Sequence, residues 1–183
     1  MSRPRVIRAA DCPPTAWKNG GGTTRQLAVF PPGAGIDDFL WRISIAQVDK
    51  AGPFSVFPGI DRVLAVVRGT LRLTPALAPD LGEERVMTSL SAPYAFDGAS
   101  DMFGEPLGGP AIDVNVMARR GRCAARMRFV AAGSAVAREG TTFLTALHPV
   151  AIEAVSLAKL DTLCVDEPFI APGRAVLTHL TMA

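Results

Sequence analysis

At 183 residues, 49% apolar and 20% charged, the chain is long enough to bury a full core and too rich in apolar residues for long disordered segments. A net charge of +2 with no basic run interleaved with aromatics argues against a nucleic-acid partner, and no apolar run approaches the ~18 residues of a membrane span. Met1 to Pro14 holds arginines but no apolar signal-peptide run, and the widely spaced Cys12, Cys123 and Cys164 suit neither a disulfide framework nor a zinc site, so a reducing cytoplasm is the expected compartment.

In chain order, Arg5 to Ile7 is a predicted opening strand. Trp17-Lys18-Asn19-Gly20-Gly21-Gly22 reads as a tight polar loop whose glycines permit close approach by another group. A phosphate-binding loop would need Gly-Lys-Ser/Thr opening a helix, and a β-type run follows instead. From Thr23 to Phe30 the alternation sets Thr24, Gln26 and Ala28 against Thr23, Arg25, Leu27 and Val29. Pro31 to Asp38 is a loop. Trp41, Ile43 and Ile45 then share one strand face, with Arg42 and Ser44 on the other. Gly52-Pro53 breaks that run, Phe54, Val56 and Phe57 resume it, and Pro58-Gly59 breaks it again. Val63 to Val67 has the continuous aliphatic character of a strand buried on both faces. Arg68-Gly69-Thr70 reads as a short turn that sends Leu71 and Leu73 back in a return strand.

Pro75 to Glu84 reads as a loop, with Leu77 and Leu81 spaced for a helical turn. Arg85 to Leu90 and Tyr94-Ala95-Phe96 are short runs, Asp97-Gly98 is a turn, and residues 99 to 111 form a Gly/Pro-rich connection. Ile112, Val114 and Val116 alternate cleanly with Asp113, Asn115 and Met117. Beyond the arginines of Ala118 to Arg122, Met127 and Phe129 alternate with Arg126 and Arg128, and residues 131 to 140 are a turn region. Thr141 to Leu147, Val150 to Leu157, Asp161 to Val165 and Ala175 to Leu180 are four further predicted strands. Fifteen prolines and seventeen glycines punctuate these short runs. The pattern predicts an all-β sandwich or barrel with less than about a fifth of the chain helical. Elements before and after about residue 120 are similar in size and spacing, so residues 1–183 are expected to form one compact domain with internal halves of roughly 1–120 and 121–183.

The two histidines, His148 and His179, fall in different late strands and are too few for a clustered iron or zinc site, so neither a metal nor another cofactor is expected. No Gly-x-Ser-x-Gly elbow is present, and Cys164, between Leu163 and Val165, reads as a buried structural thiol rather than a nucleophile paired with either histidine. What remains is a set of polar residues in or beside strand runs: Asn19, Thr24, Arg25, Arg42, Ser44, Arg62, Asp113 and Asn115. They either point to water from a half-exposed sheet or line the mouth of a barrel, where arginines pair with carboxylates and Asn and Ser select by donor and acceptor. Periodicity alone does not choose between the two.

Five segments, Trp17-Lys-Asn-Gly-Gly-Gly-Thr-Thr-Arg25, Trp41-Arg-Ile-Ser-Ile-Ala46, Gly52-Pro-Phe-Ser-Val-Phe-Pro-Gly-Ile-Asp-Arg62, Phe96-Asp-Gly98 and Asp113-Val-Asn-Val-Met117, resemble in this order motifs of the HutD/Ves family. They cover the first two thirds of the chain; the last third is similar only in its general β character. The resemblance implies an all-β, cupin-like (RmlC-like jelly-roll) fold of two β units in one compact, bicupin-type chain. It also implies an association with bacterial histidine utilisation, with N-formylglutamate or a similar intermediate as ligand. The His-rich metal motif of ordinary cupins is missing, and the Phe57-Pro-Gly-Ile-Asp-Arg62 elbow stands where it would be sought.

Three functions compete at this point. The first is a regulatory protein that binds a small acidic metabolite through Arg25, Arg42, Arg62 and Asn115, with hydrogen bonds from Asn19, Thr24, Ser44 and Asp113 and an aromatic wall of Trp17, Phe57 or Phe96. The second is a metal-independent hydrolase or isomerase with Asp113 or Asp97 as general base. The third is an interaction module with no small ligand. Nucleic acid and membrane are excluded as expected partners, and a homodimer is left open.

Overall fold

The computed structural model describes residues 5–75, 84–152 and 155–183, and within them the chain is all-β, its one helical element being the 3-10 turn Ala9–Asp11. The short runs of β-branched residues between Gly and Pro become seventeen strands. They are β1 (Val6–Ile7), β2 (Pro14–Ala16), β3 (Gly22–Phe30), β4 (Trp41–Val48), β5 (Gly52–Pro53), β6 (Ile60–Pro75), β7 (Arg85–Thr88), β8 (Tyr94–Asp97) and β9 (Met102–Arg119). They continue with β10 (Cys123–Val130), β11 (Ala135–Val136), β12 (Thr141–Ala146), β13 (Val150–Ile152), β14 (Val155–Leu157), β15 (Thr162–Cys164), β16 (Phe169–Ile170) and β17 (Ala175–Met182). One sheet has eight strands in the order β2-β3-β4-β9-β6-β7, with β5 on β9 and β8 on β6. The other has five, in the order β1-β15-β12-β17-β10, and β11/β16 and β13/β14 form separate pairs.

The spine of the large sheet is the antiparallel pair β6 and β9, 16 and 18 residues long. It departs from the sequence reading in two places that share one cause. Arg68-Gly69-Thr70 is not a turn, and residues 99 to 111 are not merely a connection. Pairing runs from Ile60↔Arg119 to Pro75↔Met102, and the register shifts around Arg68 as the partner jumps from Ile112 to Leu107. The extra residues on β9 bulge opposite Gly69, so both strands bend together and neither reverses. Gly69 has φ +74°, and a Cβ there would lie 2.7 Å from the Pro110 carbonyl oxygen, so a side chain is excluded at the bend. The Gly/Pro signals mark a bend within strands, not their ends.

Smaller departures follow the same logic. Phe54 to Phe57 is not strand: Phe54 N–H donates to Met102 O at 2.8 Å and the chain then loops away. Val150 to Leu157 is not one strand but two, β13 and β14, paired with each other. Leu77 and Leu81 lie outside the described residues. Along β3 the register shifts between Gln26 and Ala28, which inverts the alternation beyond it. Leu27 and Ala28 therefore both join the core between the sheets, and Val29 joins Phe39, Ile60 and Met117 on the other side.

Alternation sends one face of each central strand into that core. Trp41, Ile43 and Ile45 of β4, Val63, Ala65 and Val67 of β6, and Val114 and Val116 of β9 meet Phe143, Val176 and Leu180 of the five-stranded sheet. Trp41 stacks on Phe30 at 5.8 Å and meets Phe143 edge-on at 5.6 Å, favourable geometries for aromatic pairs. A second cluster forms where the long strands curl over: Leu64, Val66, Leu71, Leu73, Met87 and Met102. The other faces of β4 and β9 are thereby turned away from the five-stranded sheet, and they carry Arg42, Ser44, Asp113 and Asn115.

Candidate functional site

Three rungs across β4, β9 and β6 build the site. Arg42 pairs with Met117 and Met117 with Arg62; Ser44 pairs with Asn115 and Asn115 with Leu64; Ala46 pairs with Asp113 and Asp113 with Val66. Because side chains alternate at period two, the i and i+2 residues of each strand share this face. They line a half-open cavity of about 650 Å³. Of the residues singled out in the sequence, Asn19, Thr24, Arg42, Ser44, Phe57, Arg62, Asp113 and Asn115 all reach it.

Two do not. Arg25 lies on the opposite face of β3, with Thr23, where it lines a separate cavity of about 300 Å³ and donates from Nη1 to the Cys12 carbonyl at 2.6 Å. The alternation of Thr24 against Arg25 makes a shared pocket impossible for the pair. Phe96 is the cross-strand partner of Arg62 and stacks on Tyr94 at 5.5 Å, so it backs the arginine instead of lining the cavity. Asp97 is also excluded as a base for this cavity. It is an exposed residue tied to Arg120 at 2.9 Å, and a hydrogen bond from Ala99 N–H, reinforced by Arg120, holds its carboxyl below the usual range.

The Gly-rich loop serves as scaffold. Asn19 Oδ1 accepts from Gly21 N–H at 2.9 Å, and a Cβ on Gly22 would overlap the Gln47 carbonyl oxygen, so the loop can lie flat against β4. This seats Trp17 at the wall, where its indole N–H donates to Thr24 Oγ1 at 2.7 Å and its ring meets Phe54 edge-on at 6.3 Å. Arg42 is aimed by Gln26, whose Oε1 accepts from Nε at 2.8 Å. Sequence reasoning left out Gln26, although it shares the Thr24 face. It also left out Phe54, Lys18 and Ile36. The first two sit inside the motifs quoted above, whereas nothing in the Pro31 to Asp38 loop marks Ile36 as part of a wall.

Arg62 is the centre of the site. Its side chain is buried, and its guanidinium carbon lies 4.9, 5.5 and 5.8 Å from the ring centroids of Phe96, Phe54 and Phe57. Each such ring attracts the cation by about 0.5–2 kcal/mol when water is excluded. Nη1 has only a long contact, 3.4 Å, to the Ser55 carbonyl, and Nε has no partner. Burial pushes its pKa down to about 10, with Asp113 opposing and Arg42 assisting, so it stays charged at neutral pH. Asp113 is 1% exposed, and burial raises its carboxyl to about 7 although Arg62 pulls it down. Oδ1 of Asp113 and Oδ1 of Asn115 also lack partners. Burial lowers the pKa of Arg42 as well.

Metal-ligating residues are not brought together. His179 is buried with Nδ1 3.0 Å from Thr142 Oγ1, His148 is exposed, and no group of His, Cys, Asp and Glu among the described residues is placed to hold a metal ion. The cysteines are all free thiols. No helix among the described residues is long and apolar enough to cross a membrane.

Fold and site together define a cupin-like all-β protein with a cationic, aromatic-walled cavity on the strands of its larger sheet. The HutD family model matches residues 9–179, and the chain belongs to that family. An uncharacterized 21.2 kDa protein in the hutC 3′ region of Pseudomonas putida is 34% identical over 145 residues, 79% of this chain and 73% of that protein. Protein Ves of Citrobacter koseri is 36% identical over 120 residues, 63% of this chain and 58% of Ves. HutD from Pseudomonas fluorescens SBW25, solved in a formate condition, superposes with a TM-score of 0.84 at 31% identity, covering 98% of this chain and 99% of that one.

Proposed function

We propose that this protein binds a small acidic intermediate of histidine utilisation, such as N-formylglutamate, and regulates the pathway by binding and not by turnover. The observation that carries the proposal is Arg62: a buried guanidinium, boxed by three phenylalanines, with an unpartnered Nε beside a cavity of about 650 Å³. Arg42 and Lys18 line the same cavity, and the one carboxyl among them, Asp113, is raised to about 7, so the local field favours an anion. Arginine can hold a carboxylate by two parallel N–H bonds, which orients it as well as attracting it. The hutC 3′ region of the Pseudomonas putida relative supports the metabolic context.

Calorimetry with N-formylglutamate on the wild type, Arg42→Lys and Arg62→Lys tests this reading. Losing a charge-assisted hydrogen bond costs roughly 1.5–3 kcal/mol, so each variant should keep the fold and bind about tenfold to a hundredfold more weakly. No heat with any histidine-pathway acid, or equal affinity in all three proteins, overturns it.

A second reading is favoured by one feature, the buried carboxyl of Asp113 raised to about 7 in the same cavity. That is the range a general base or acid needs for a metal-independent hydrolase or isomerase. Product formation from N-formylglutamate, followed by NMR and abolished in Asp113→Asn, would establish it; binding without product leaves the first reading in place.

A further inference from the structure

Three polar atoms around the cavity are buried and unpartnered, and they are of two kinds. Arg62 Nε is a donor, whereas Asp113 Oδ1 and Asn115 Oδ1 are acceptors. Their residues are 7%, 1% and 7% exposed. A ligand carboxylate answers the donor and leaves both acceptors unmet. The cross-strand neighbours of Asp113 on β4 and β6, Ala46 and Val66, offer it no side-chain donor. Asp113 and Asn115 lie two residues apart on one strand face, roughly 7 Å along β9, so they form a short acceptor row beside the arginines. The smaller cavity under Arg25 offers a contrast, since there Nη1 of the guanidinium already donates to the Cys12 carbonyl and no buried atom of Arg25 is left without a partner.

We infer that the cavity selects acids that also carry a hydrogen-bond donor: the carboxylate faces Arg42 and Arg62, and an N–H or O–H of the same ligand is received by Asp113 Oδ1 and Asn115 Oδ1. The inference rests on the acid-binding reading and narrows its ligand class. A buried acceptor without a donor is costly, so a site built around one discriminates against analogues lacking the matching hydrogen. Plain dicarboxylates fit the cationic end but carry no N–H or O–H and leave Asp113 unanswered. An acylated amino acid presents a carboxylate and an amide N–H a few bonds apart, which suits the row.

Protonation gives the inference a second signature. Arg62 from β6 is the charged group that acts on Asp113, Arg42 from β4 and Lys18 from the Trp17 to Gly22 loop line the same cavity, and no histidine lines it. Arg62 stays charged at neutral pH, so the carboxyl of Asp113, held at about 7, is the group that changes state there. A ligand N–H stabilises the ionised carboxylate, whereas the protonated form is itself a donor on one oxygen. Preference for a donor-bearing acid should therefore be greater at pH 8 than at pH 6.

The test is calorimetry on the intact protein with three probes at both pH values. They are N-formylglutamate, the formyl ester of 2-hydroxyglutarate, in which oxygen replaces the N–H, and glutarate. The expected result is that the amide binds about tenfold more tightly than its ester at pH 8, with the gap narrowing at pH 6. In Asp113→Leu the amide and ester should bind alike. If all three acids bind but amide and ester are equal at both pH values, the donor inference is overturned and the acid-binding reading survives. If none binds, both fall. A preference that persists in Asp113→Leu overturns the assignment to Asp113, and should that variant not fold, the wild-type pair at two pH values still decides.

Discussion

The two faces of β4, β6 and β9 are built from the same backbone and meet opposite ends. On one face Trp41, Ile43, Ala65, Val114 and Val116 are sealed against the five-stranded sheet, with apolar groups answered by apolar groups. On the other, one residue along, Arg42, Arg62, Asp113 and Asn115 surround a cavity, and three of their buried polar atoms have no partner. Burying polar groups unanswered costs stability, and a fold keeps that arrangement where something other than stability is gained. The comparison separates residues that hold the protein together from residues that the proposed ligand would answer.

The largest expected effect lies on the sealed face. Trp41→Ala removes a ring that touches Phe30 and Phe143 and should cost about 3–5 kcal/mol, read as a lower midpoint in chemical denaturation. A loss confined to ligand affinity, with stability unchanged, would break the distinction from that side.

On the cavity face the expected sign is reversed. The folded-state pKa of Asp113 is raised to about 7, above the usual value for an exposed aspartate. The folded protein therefore binds the proton more tightly than the unfolded chain. Stability from this group is fully present below pH ~4, and is lost as pH rises toward 7. Asp113→Asn, which carries no charge, should thus be more stable than the wild type at pH 8, by on the order of 2 kcal/mol, with the difference shrinking toward pH 4. Denaturation midpoints of both proteins across pH 4–8 check this, and a variant less stable at pH 8 would mean that the carboxylate is structurally answered after all.

Gln26→Leu sharpens the comparison at smaller scale. It removes the acceptor that aims Arg42, so ligand affinity should fall several-fold while stability moves by less than about 0.5 kcal/mol. The smallest effect is expected from Arg120→Ala. This exposed arginine bridges Asp61 at 2.6 Å and Asp97 at 2.9 Å, and exposed pairs of this kind contribute little. Thermal denaturation and binding should both stay close to wild type, and the small loss in melting temperature should shrink further in high salt.

Much of this face was legible in advance because a strand reports its two sides at period two. Arg42 with Ser44, and Asp113 with Asn115, follow from alternation alone. Arg25 was legible too: it alternates with Thr24, and grouping the two as polar residues of one strand run set that alternation aside. The inverted alternation beyond Leu27 was not legible, since a bulge adds a residue without leaving a breaker in the sequence. The bend at Gly69 was misread for the complementary reason. Glycine and proline announce an irregular backbone but do not say whether the chain reverses or bends, and here β9 bulges in step with β6.

By itself, then, the sequence determined the all-β class, the strand faces and the family motifs, because these depend on local patterns of residue type. Only the tertiary structure decided which polar face is enclosed. That Arg62 sits among Phe54, Phe57 and Phe96, that Gln26 aims Arg42, and that Asp113 is left without a donor all depend on which strands are neighbours and on how they curl. Strand pairing joins residues 55 positions apart, as with Arg62 and Met117, and periodicity within one strand carries no information about its partner.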